Sequence, residues 1–256
     1  MNYSLVYGNQ SKIDSLKRAL TEVSNDSIRY EINLNIALQL EATDFDSAMM
    51  YYNNCIDIAD TNNWTAKKAQ AFINIGYAYM YSKHSKDAGE FLLEGLKYYT
   101  LANDSLGIMR SYYNLGYFYG TFEDFPKAIE NFREAEEYAI GLNHEKLLAS
   151  IYNNLGLMYN YVGQYDMANN YHFKSLQLSE KNGVKAVGNT HLNIGLNYYK
   201  EGNLEKSIEH HFKALAIFKE NGEKPYIALA LKNIGDDYFG HNLDSALRYY
   251  NEAHLI

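Results

Sequence analysis

The chain has 256 residues, of which 47% are apolar and 15% aromatic, including 26 tyrosines, a composition typical of folded protein rather than of disordered segments. Its net charge of −8 and the absence of any run of Lys and Arg argue against a nucleic-acid-binding surface, which depends on clustered cations. The apolar runs are too short for a membrane span, and a single cysteine, Cys55, excludes an internal disulfide.

The first predicted element is a short helix at 12–22, within an N-terminal capping segment of residues 1–25. We place Ser11 at its N-cap, because a serine oxygen accepts a hydrogen bond from the free amides at the start of a helix. Only two prolines, Pro126 and Pro225, interrupt the chain, and no alternating strand pattern occurs. The sequence therefore predicts an all-α protein.

A triplet of asparagine, an apolar residue and a small residue recurs every 39 or 40 residues. A constant period of this length indicates a repeat array, in which each unit buries its apolar face against its neighbours. We predict six repeats, at about 26–63, 64–103, 104–143, 144–182, 183–222 and 223–256. The asparagines of the six triplets are Asn35, Asn74, Asn114, Asn154, Asn193 and Asn233.

Each repeat divides into two amphipathic helical stretches, which gives twelve helices after the capping helix. In the third repeat, residues 111–119 are apolar around most of the helix, and a second helix is predicted at 126–138, where Asp124 and Pro126 favour initiation. Connections rich in Asn, Asp and Gly tolerate the left-handed backbone that ends helices. These connections are Asn103-Asp104, Asn143-His144, Asn182-Gly183 and Asn221-Gly222.

Small residues recur at two further positions of each repeat, where the two helices must cross closely. Overpacking such a crossing typically costs about 1–3 kcal/mol, so we interpret these residues as packing sites and not as chemistry. The first set is Ala48, Ala88, Ala128, Ala168, Ser207 and Ala246, and the second is Cys55, Gly95, Ala135, Ser175, Ala214 and Ala253.

The pattern resembles the tetratricopeptide repeat, whose consensus has an apolar residue and Gly at positions 7 and 8, aromatic residues at 11 and 24, and Ala at 20 and 27. Departures are the period near 40 instead of 34, the missing position-32 proline, and Ala37 and Leu40 in the first repeat. The resemblance implies a right-handed α-solenoid superhelix of six helix-turn-helix repeats. The repeat pattern is also similar to that of the sensor and regulatory modules of bacterial signalling proteins. Position 11 holds Tyr79, Tyr119, Tyr159, Tyr198 and Tyr238, and position 24 holds Tyr52, Leu92, Phe132, His172, His211 and Tyr250.

The same resemblance places the repeated asparagine at position 6 of the first helix, facing the concave groove. An amide side chain offers a donor and an acceptor together, so it can pair with the N–H and C=O of one extended peptide unit. Six such amides would form a ladder that holds a ligand backbone. The alternative is that the asparagines only tie neighbouring first helices together.

Groove positions 5 and 9 are expected to set specificity, and their apolar, tyrosine-bearing character suits an extended peptide. A carboxylate clamp is disfavoured, because it needs Lys at position 5 and Asn at position 9 of one repeat, with further basic groove residues in the next repeats. Apart from position 5, only Arg110 and Lys200 add positive charge, at positions 2 and 13 of different repeats. The alternative is that these residues are core between helices. Position 5 holds Leu34, Ile73, Tyr113, Asn153, Leu192 and Lys232, and position 9 holds Leu38, Tyr77, Tyr117, Leu157, Leu196 and Asp236. The predicted peptide-binding residues are the six asparagines with Tyr77, Tyr113, Tyr117, Arg110 and Asn153.

Histidines are the remaining candidates for chemistry. His172, His191 and His211 lie at positions 24, 4 and 24 of consecutive repeats and are expected to approach one another, whereas neighbouring His210 and His211 point to two faces. No carboxylate or Cys partner at ligand spacing is evident, so we predict packed histidines, no metal site and no cofactor.

Catalysis has no support from motifs, because nucleophile elbows, phosphate loops, dinucleotide fingerprints and zinc-protease motifs are all absent. The carboxylate pairs Glu136-Glu137 and Asp236-Asp237 are adjacent in sequence and diverge on a helix, so they are predicted to be solvated. We expect a non-enzymatic module.

The function that follows is binding of an extended peptide or protein segment, as the sensor or regulatory part of a bacterial signalling protein. Alternatives are a scaffold or homo-oligomer that uses convex and terminal surfaces, including a homodimer through the uncapped last repeat, and a receptor for an aromatic small molecule. The lack of a polar capping helix after Ile256 suggests a truncated sensor, which favours a periplasmic or extracellular module over a cytoplasmic one. Neither nucleic acid nor direct membrane insertion is expected.

Overall fold

The computed structural model describes residues 3–82, 85–182 and 187–256, with side chains from residue 11 onward. In these ranges it has thirteen α-helices, a 3-10 helix at Ser85–Asp87 and no strand. The all-α prediction, with one N-terminal helix before twelve repeat helices, is confirmed. Among the described helices, we find no candidate for a membrane-spanning segment. The helices are α1 (Tyr3–Glu22), α2 (Asp26–Leu40), α3 (Phe45–Thr61), α4 (Thr65–Met80), α5 (Ala88–Leu101), α6 (Ser105–Thr121), α7 (Phe125–Gly141), α8 (Glu145–Tyr161), α9 (Tyr165–Lys181), α10 (Val187–Lys200), α11 (Leu204–Asn221), α12 (Lys224–Tyr238) and α13 (Leu243–His254).

The N-terminal helix differs from its prediction. α1 begins at Tyr3, so Ser11 lies inside the helix and its assignment as N-cap is wrong. An N-cap residue needs non-helical backbone, and the residues before Ser11 are themselves helical. Ile13, which is only 3% exposed, packs α1 against the core formed by α2 and α3.

Helix ends follow the predicted chemistry in most repeats. The Asp124 carboxylate accepts from the backbone N–H of Lys127, and α7 starts one residue later and runs to Gly141, further than the predicted 126–138. Asn103, Asn143 and Gly222 have left-handed backbone, as predicted for the connections. Asn182 has φ −96°, so it ends α9 without the left-handed turn, and Gly183 lies outside the described residues.

The chain divides into two compact units at Phe118, which we call the first and the second unit. The core of the first unit includes Tyr30 and Tyr52, both fully buried, and that of the second includes Leu155 and Phe218. Within each unit, consecutive helices pack as antiparallel pairs that bury the predicted apolar faces.

The glycine at position 8 marks a close approach of the two helices in a repeat. A Cβ on Gly76 would lie 2.8 Å from the Leu92 side chain, and one on Gly235 would lie 2.5 Å from the Tyr250 ring. Such contacts are shorter than real Cβ atoms make, so any larger residue would separate the pair. The small residues of the first set are fully buried as well, which confirms their packing role; they are Ala48, Ala88, Ala128, Ala168, Ser207 and Ala246.

Candidate functional site

The first helix of each repeat presents one row of exposed or half-buried side chains, with the repeated asparagine within it. Residues spaced by three or four positions share a helix face, so each row is continuous on its own helix. We call these rows the asparagine stripe. In the first unit the stripe comprises Glu31, Asn35, Leu38, Gln70, Asn74, Tyr77, Tyr81, Arg110, Asn114 and Tyr117. In the second unit it comprises Ser150, Asn154, Leu157, Tyr161, Asn189, Asn193, Leu196, Lys200, Leu229, Asn233 and Asp236.

The asparagine amides are mostly uncommitted. In the first unit, Asn74 and Asn114 are half-buried and have no hydrogen-bond partner among the described residues, and in the second unit the same holds for Asn193 and Asn233. Asn35 is exposed, and its Nδ2 donates to the Glu31 carbonyl oxygen of its own helix at 2.8 Å. Asparagines that tied neighbouring first helices together would show bonds between helices, and these four amides show none within the described part of the chain.

Asn154 differs from those four. It has an interaction inside the protein, so its amide is partly committed before any ligand arrives.

Positions 5 and 9 separate into core and surface. At position 5, Leu34, Ile73 and Leu192 are less than 10% exposed, so the prediction that position 5 sets specificity is wrong for these three repeats. They point between helices, where burial of a Leu or Ile side chain contributes about 1.5–3 kcal/mol. Position 9 is exposed in four repeats, at Leu38, Tyr77, Tyr117 and Leu196.

A tyrosine cluster lies on the stripe of the first unit. The exposed fractions of Tyr77, Tyr81 and Tyr117 are 45%, 65% and 40%. The rings of Tyr77 and Tyr81 are 5.1 Å apart, and their hydroxyl oxygens are 3.4 Å apart. The hydrogen bond with Tyr77, followed by burial and by a hydrogen bond with Tyr117, raises the pKa of Tyr81 above its ordinary value. Tyr81 is not among the residues that the sequence predicts to bind, although its spacing of four residues from Tyr77 places both on one face.

A cavity of about 720 Å³ adjoins this cluster in the first unit. Its described walls include Glu41, Phe45, Asp46 and Tyr81, with no basic residue among them. Glu41 accepts a hydrogen bond from the Tyr52 hydroxyl, and burial raises the pKa of its carboxyl. Nothing in the repeat pattern singled out this cavity, because its walls combine the ends of α2 and α4 with the start of α3.

The remaining predicted binding residues differ in their surroundings. Arg110 is exposed on α6 and forms no ion pair with any described residue. Tyr113 is half-buried and has an interaction within the protein. Asn153 is half-buried, and its Oδ1 accepts from the Thr190 hydroxyl at 3.3 Å, so it links α8 to α10.

The histidines lie in the second unit and form separate contacts. His191 Nδ1 lies 3.0 Å from His210 Nδ1, so one ring donates to the other. Burial is the main cause that lowers the pKa of both to about 4. His172 covers Gly156, has no hydrogen-bond partner within the described ranges, and burial lowers its pKa to about 4.

His211 has the carboxylate partner that the sequence did not reveal. Its Nδ1 donates to Asp237 Oδ2 at 2.6 Å, and Ser207 Oγ lies 2.6 Å from Asp237 Oδ1. Asp237 is 1% exposed, so the prediction that Asp236 and Asp237 are both solvated is wrong. Asp236 lies on the outer side, where it accepts from Lys232 and from the Tyr250 hydroxyl.

The other carboxylate pair is also asymmetric. Glu137 is exposed, but Glu136 is half-buried, and this burial raises the pKa of its carboxyl. The prediction of a solvated pair is therefore wrong for Glu136. No group of three or more His, Cys, Asp or Glu side chains in the described ranges has an arrangement that would hold a metal ion.

Solved structures with similar folds share little sequence with this chain. A signal transduction ATPase with numerous domains from Pyrococcus horikoshii, described as having a tetratricopeptide repeat sensor, is 17% identical with a TM-score of 0.81; the match covers 96% of this chain and 39% of that one. Aspartyl phosphate phosphatase F from Bacillus subtilis is 16% identical with a TM-score of 0.71, over 95% and 73% of the two chains.

A third structure with the fold is a Rap protein in complex with competence and sporulation factor. It is 14% identical with a TM-score of 0.65, and the match covers 94% of this chain and 78% of that one. Identities this low establish the fold alone. No curated protein matches the chain in sequence.

The family assignment comes from the repeats themselves. The tetratricopeptide repeat model matches residues 107–181 and 186–254, which is more than half of the chain. Proteins with this repeat are typically non-enzymatic modules that bind other proteins. The chain therefore belongs to the tetratricopeptide repeat family.

Proposed function

We propose that this protein is a non-enzymatic module that binds an extended peptide or protein segment along the asparagine stripe of each unit. The observation that carries the proposal is the set of half-buried amides at Asn74, Asn114, Asn193 and Asn233, which have no partner among the described residues. Buried polar groups are normally hydrogen-bonded, so amides in this position are suited to a partner from outside the fold.

The chemistry of the stripe suits a peptide backbone. Each amide side chain presents a donor and an acceptor, and an extended peptide presents the complementary pair at every residue. Beside these amides, exposed Tyr77 and Tyr117 offer a large contact area at a low cost in side-chain entropy. The asparagines therefore bind the peptide backbone, and the tyrosines select its side chains. Tyr113 and Asn153 are half-buried and contribute less exposed surface to the same site.

We further propose that binding serves a sensory or regulatory role. The supporting comparisons are the repeat sensor of the Pyrococcus horikoshii ATPase and the Rap protein whose complex contains competence and sporulation factor. Their folds are similar to this chain, and sensing through a bound partner fits a surface of uncommitted amides.

The test of peptide binding uses fluorescein-labelled peptides of about ten residues, acetylated and amidated, with Tyr-Asn at the centre and a mixture of Ala, Ser, Thr and Val elsewhere. We call this mixture the Tyr-Asn pool. Exchanging both Asn74 and Asn114 for alanine should raise the Kd of the pool by about tenfold or more, because ligand groups lose their partners. Fluorescence polarisation measures the Kd, and thermal unfolding should change little.

The control variant is Asn131→Ala. This asparagine lies on α7, outside the stripe, and its Nδ2 donates to the Lys127 carbonyl oxygen, so the Kd should stay at the wild-type value. An unchanged Kd in the Asn74 and Asn114 double variant would contradict the amide role. Failure of the wild-type chain to bind the pool would contradict peptide binding altogether.

A second candidate function is self-association through α13. Leu243 and Leu247 are 57% and 50% exposed on one face of this helix, and Phe239 before it is 63% exposed. Contiguous exposed apolar side chains of this kind commonly mark protein contacts. Light scattering should show a dimer that the double exchange of Leu243 and Leu247 for glutamate dissociates; a monomeric wild-type chain would reject this candidate.

A further inference from the structure

Arg110 is an uncompensated cation on the stripe of the first unit. It is exposed and forms no ion pair with any described residue, although the chain as a whole has a net charge of −8. The other charged residue of this stripe, Glu31, lies 3.2 Å from Lys67 Nζ and is therefore paired. The stripe of the first unit thus has one local excess of positive charge, at Arg110, within the part that the structure describes.

Among the described residues, the opposite flank of the stripe carries acidic side chains. Tyr81 lines the cavity that also exposes the side chains of Glu41 and Asp46, and no basic residue is among its described walls. A carboxylate brought to this flank would meet the exposed carboxylate of Asp46 beside the half-buried Glu41. An aromatic or aliphatic side chain would instead meet the rings of Tyr77, Tyr81 and Phe45. The flank at Arg110 therefore favours an acidic side chain, and the flank at Tyr81 favours an apolar one.

Helix geometry places the asparagine between these flanks. Arg110 precedes Asn114 by one turn and Tyr117 follows it by nearly one turn, which corresponds to about 6 Å and 4.5 Å along the helix axis. In an extended peptide, successive side chains point to opposite sides of the backbone. A backbone held at Asn114 would therefore direct one side chain to Arg110 and the next to the tyrosine cluster.

We infer that the first unit selects an extended segment in which an acidic residue is adjacent to an aromatic or large aliphatic residue. The guanidinium of Arg110 binds the carboxylate, a pairing whose planar geometry allows two parallel hydrogen bonds. The tyrosine cluster of Tyr77, Tyr81 and Tyr117 receives the neighbouring apolar side chain. This inference rests on the proposed peptide binding and adds the chemical class of the partner.

The experiment compares three peptide pools that differ only in the second residue of the central pair: Tyr-Asp, Tyr-Asn and Tyr-Lys. Wild-type protein should bind the Tyr-Asp pool about fivefold or more tightly than the Tyr-Asn pool in fluorescence polarisation, with a preference that weakens at high salt. Arg110→Gln should abolish the preference by raising the Kd of the Tyr-Asp pool about fivefold or more, to that of the Tyr-Asn pool. Arg110→Glu should favour the Tyr-Lys pool over the Tyr-Asp pool.

Arg29→Gln is the matched control. Arg29 is another exposed arginine of the first unit, and it pairs with Asp26 outside the stripe, so the wild-type preference should remain. Equal binding of the Tyr-Asp and Tyr-Asn pools, with both still weakened by the Asn74 and Asn114 double exchange, would overturn the acidic partner and leave peptide binding in place. A preference for Tyr-Asp that survives Arg110→Gln would overturn the role of Arg110. Binding of none of the pools would overturn the proposed function and this inference together.

Discussion

The two units share one repeat pattern but bury different chemistry. At position 24 the first unit has Tyr52 and Leu92, whereas the second has histidines at two of its four positions, His172 and His211. The described residues of the first unit include two buried polar side chains, Asn33 and Ser111. Those of the second include eleven: Asn169, His172, Ser175, Ser179, Thr190, His191, Asn197, Ser207, His210, His211 and Asp237.

This difference shows what a repeat position requires. The side chain at position 24 must fill the space over the glycine at position 8, and His172 over Gly156 does this as well as Leu92 over Gly76. Volume is therefore the constraint at this position: His211 is hydrogen-bonded there, whereas His172 has no hydrogen-bond partner among the described residues. Other buried polar groups of the second unit are supplied with hydrogen bonds. In the second unit they come from networks such as the one that links Asn160, Asn197 and Asn169.

Acidification should produce the largest difference in stability between the two units. His172, His191 and His210 have folded pKa values lowered to about 4, against about 6.5 in an unfolded chain. Their neutral forms stabilise the fold fully above about pH 6.5, and this stability is lost as the pH falls from 6.5 towards 4. At about pH 5 the second unit should lose about 2 kcal/mol through His172, and the contacting pair of His191 and His210 should add to this loss.

Hydrogen exchange of backbone amides at about pH 7.5 and pH 5, corrected for intrinsic rates, reports each unit separately. Protection in the second unit should fall and that in the first unit should stay nearly constant. Equal losses in the two units would show that the buried histidines do not govern the acid response.

Removing the carboxylate of Asp237 should be the next largest effect. Asp237→Ala leaves His211 and Ser207 without their shared acceptor inside the fold, which should lower the free energy of unfolding by about 2–4 kcal/mol. Urea unfolding measures this loss. Asp236→Ala is the control, because this neighbour is half-exposed, and its change should stay below about 1 kcal/mol; comparable losses in both variants would contradict a role for the buried network.

The smallest expected effect is a gain in the stability of the second unit. His172→Leu gives the fourth repeat the position-24 residue of the second repeat and removes two ring nitrogens that have no partner among the described residues. The free energy of unfolding should rise by about 1 kcal/mol at neutral pH, and by more at pH 5.

The reverse exchange, Leu92→His, is the matched control in the first unit. It introduces an unpaired imidazole over Gly76, so it should destabilise that unit and make it sensitive to acid. If His172→Leu instead lowers the free energy of unfolding, the imidazole must make favourable contacts that outweigh the cost of its unpaired nitrogens.

Much of the fold was predictable because it depends on local periodicity. The triplet spacing identified the repeats, the small residues identified the helix crossings, and Asn103 and Asn143 marked helix ends. The candidate site was predictable in part: Tyr77, Tyr117 and Arg110 are exposed on the stripe, but Tyr81 and the cavity beside it were not identified. Position 5 was assigned to a binding surface in repeats where Leu34 and Ile73 are buried, because a helical period cannot tell two neighbouring faces apart.

The sequence by itself determined that this protein is an all-α repeat array, because amphipathic period and glycine spacing are properties of short segments. Only the tertiary structure decided which polar groups are inside. Asp236 and Asp237 are identical residues next to each other, and one is buried because its helix face meets His211 and Ser207 of α11 while the other faces outward. Burial depends on which face of a helix finds a partner, and that partner is often far away in sequence.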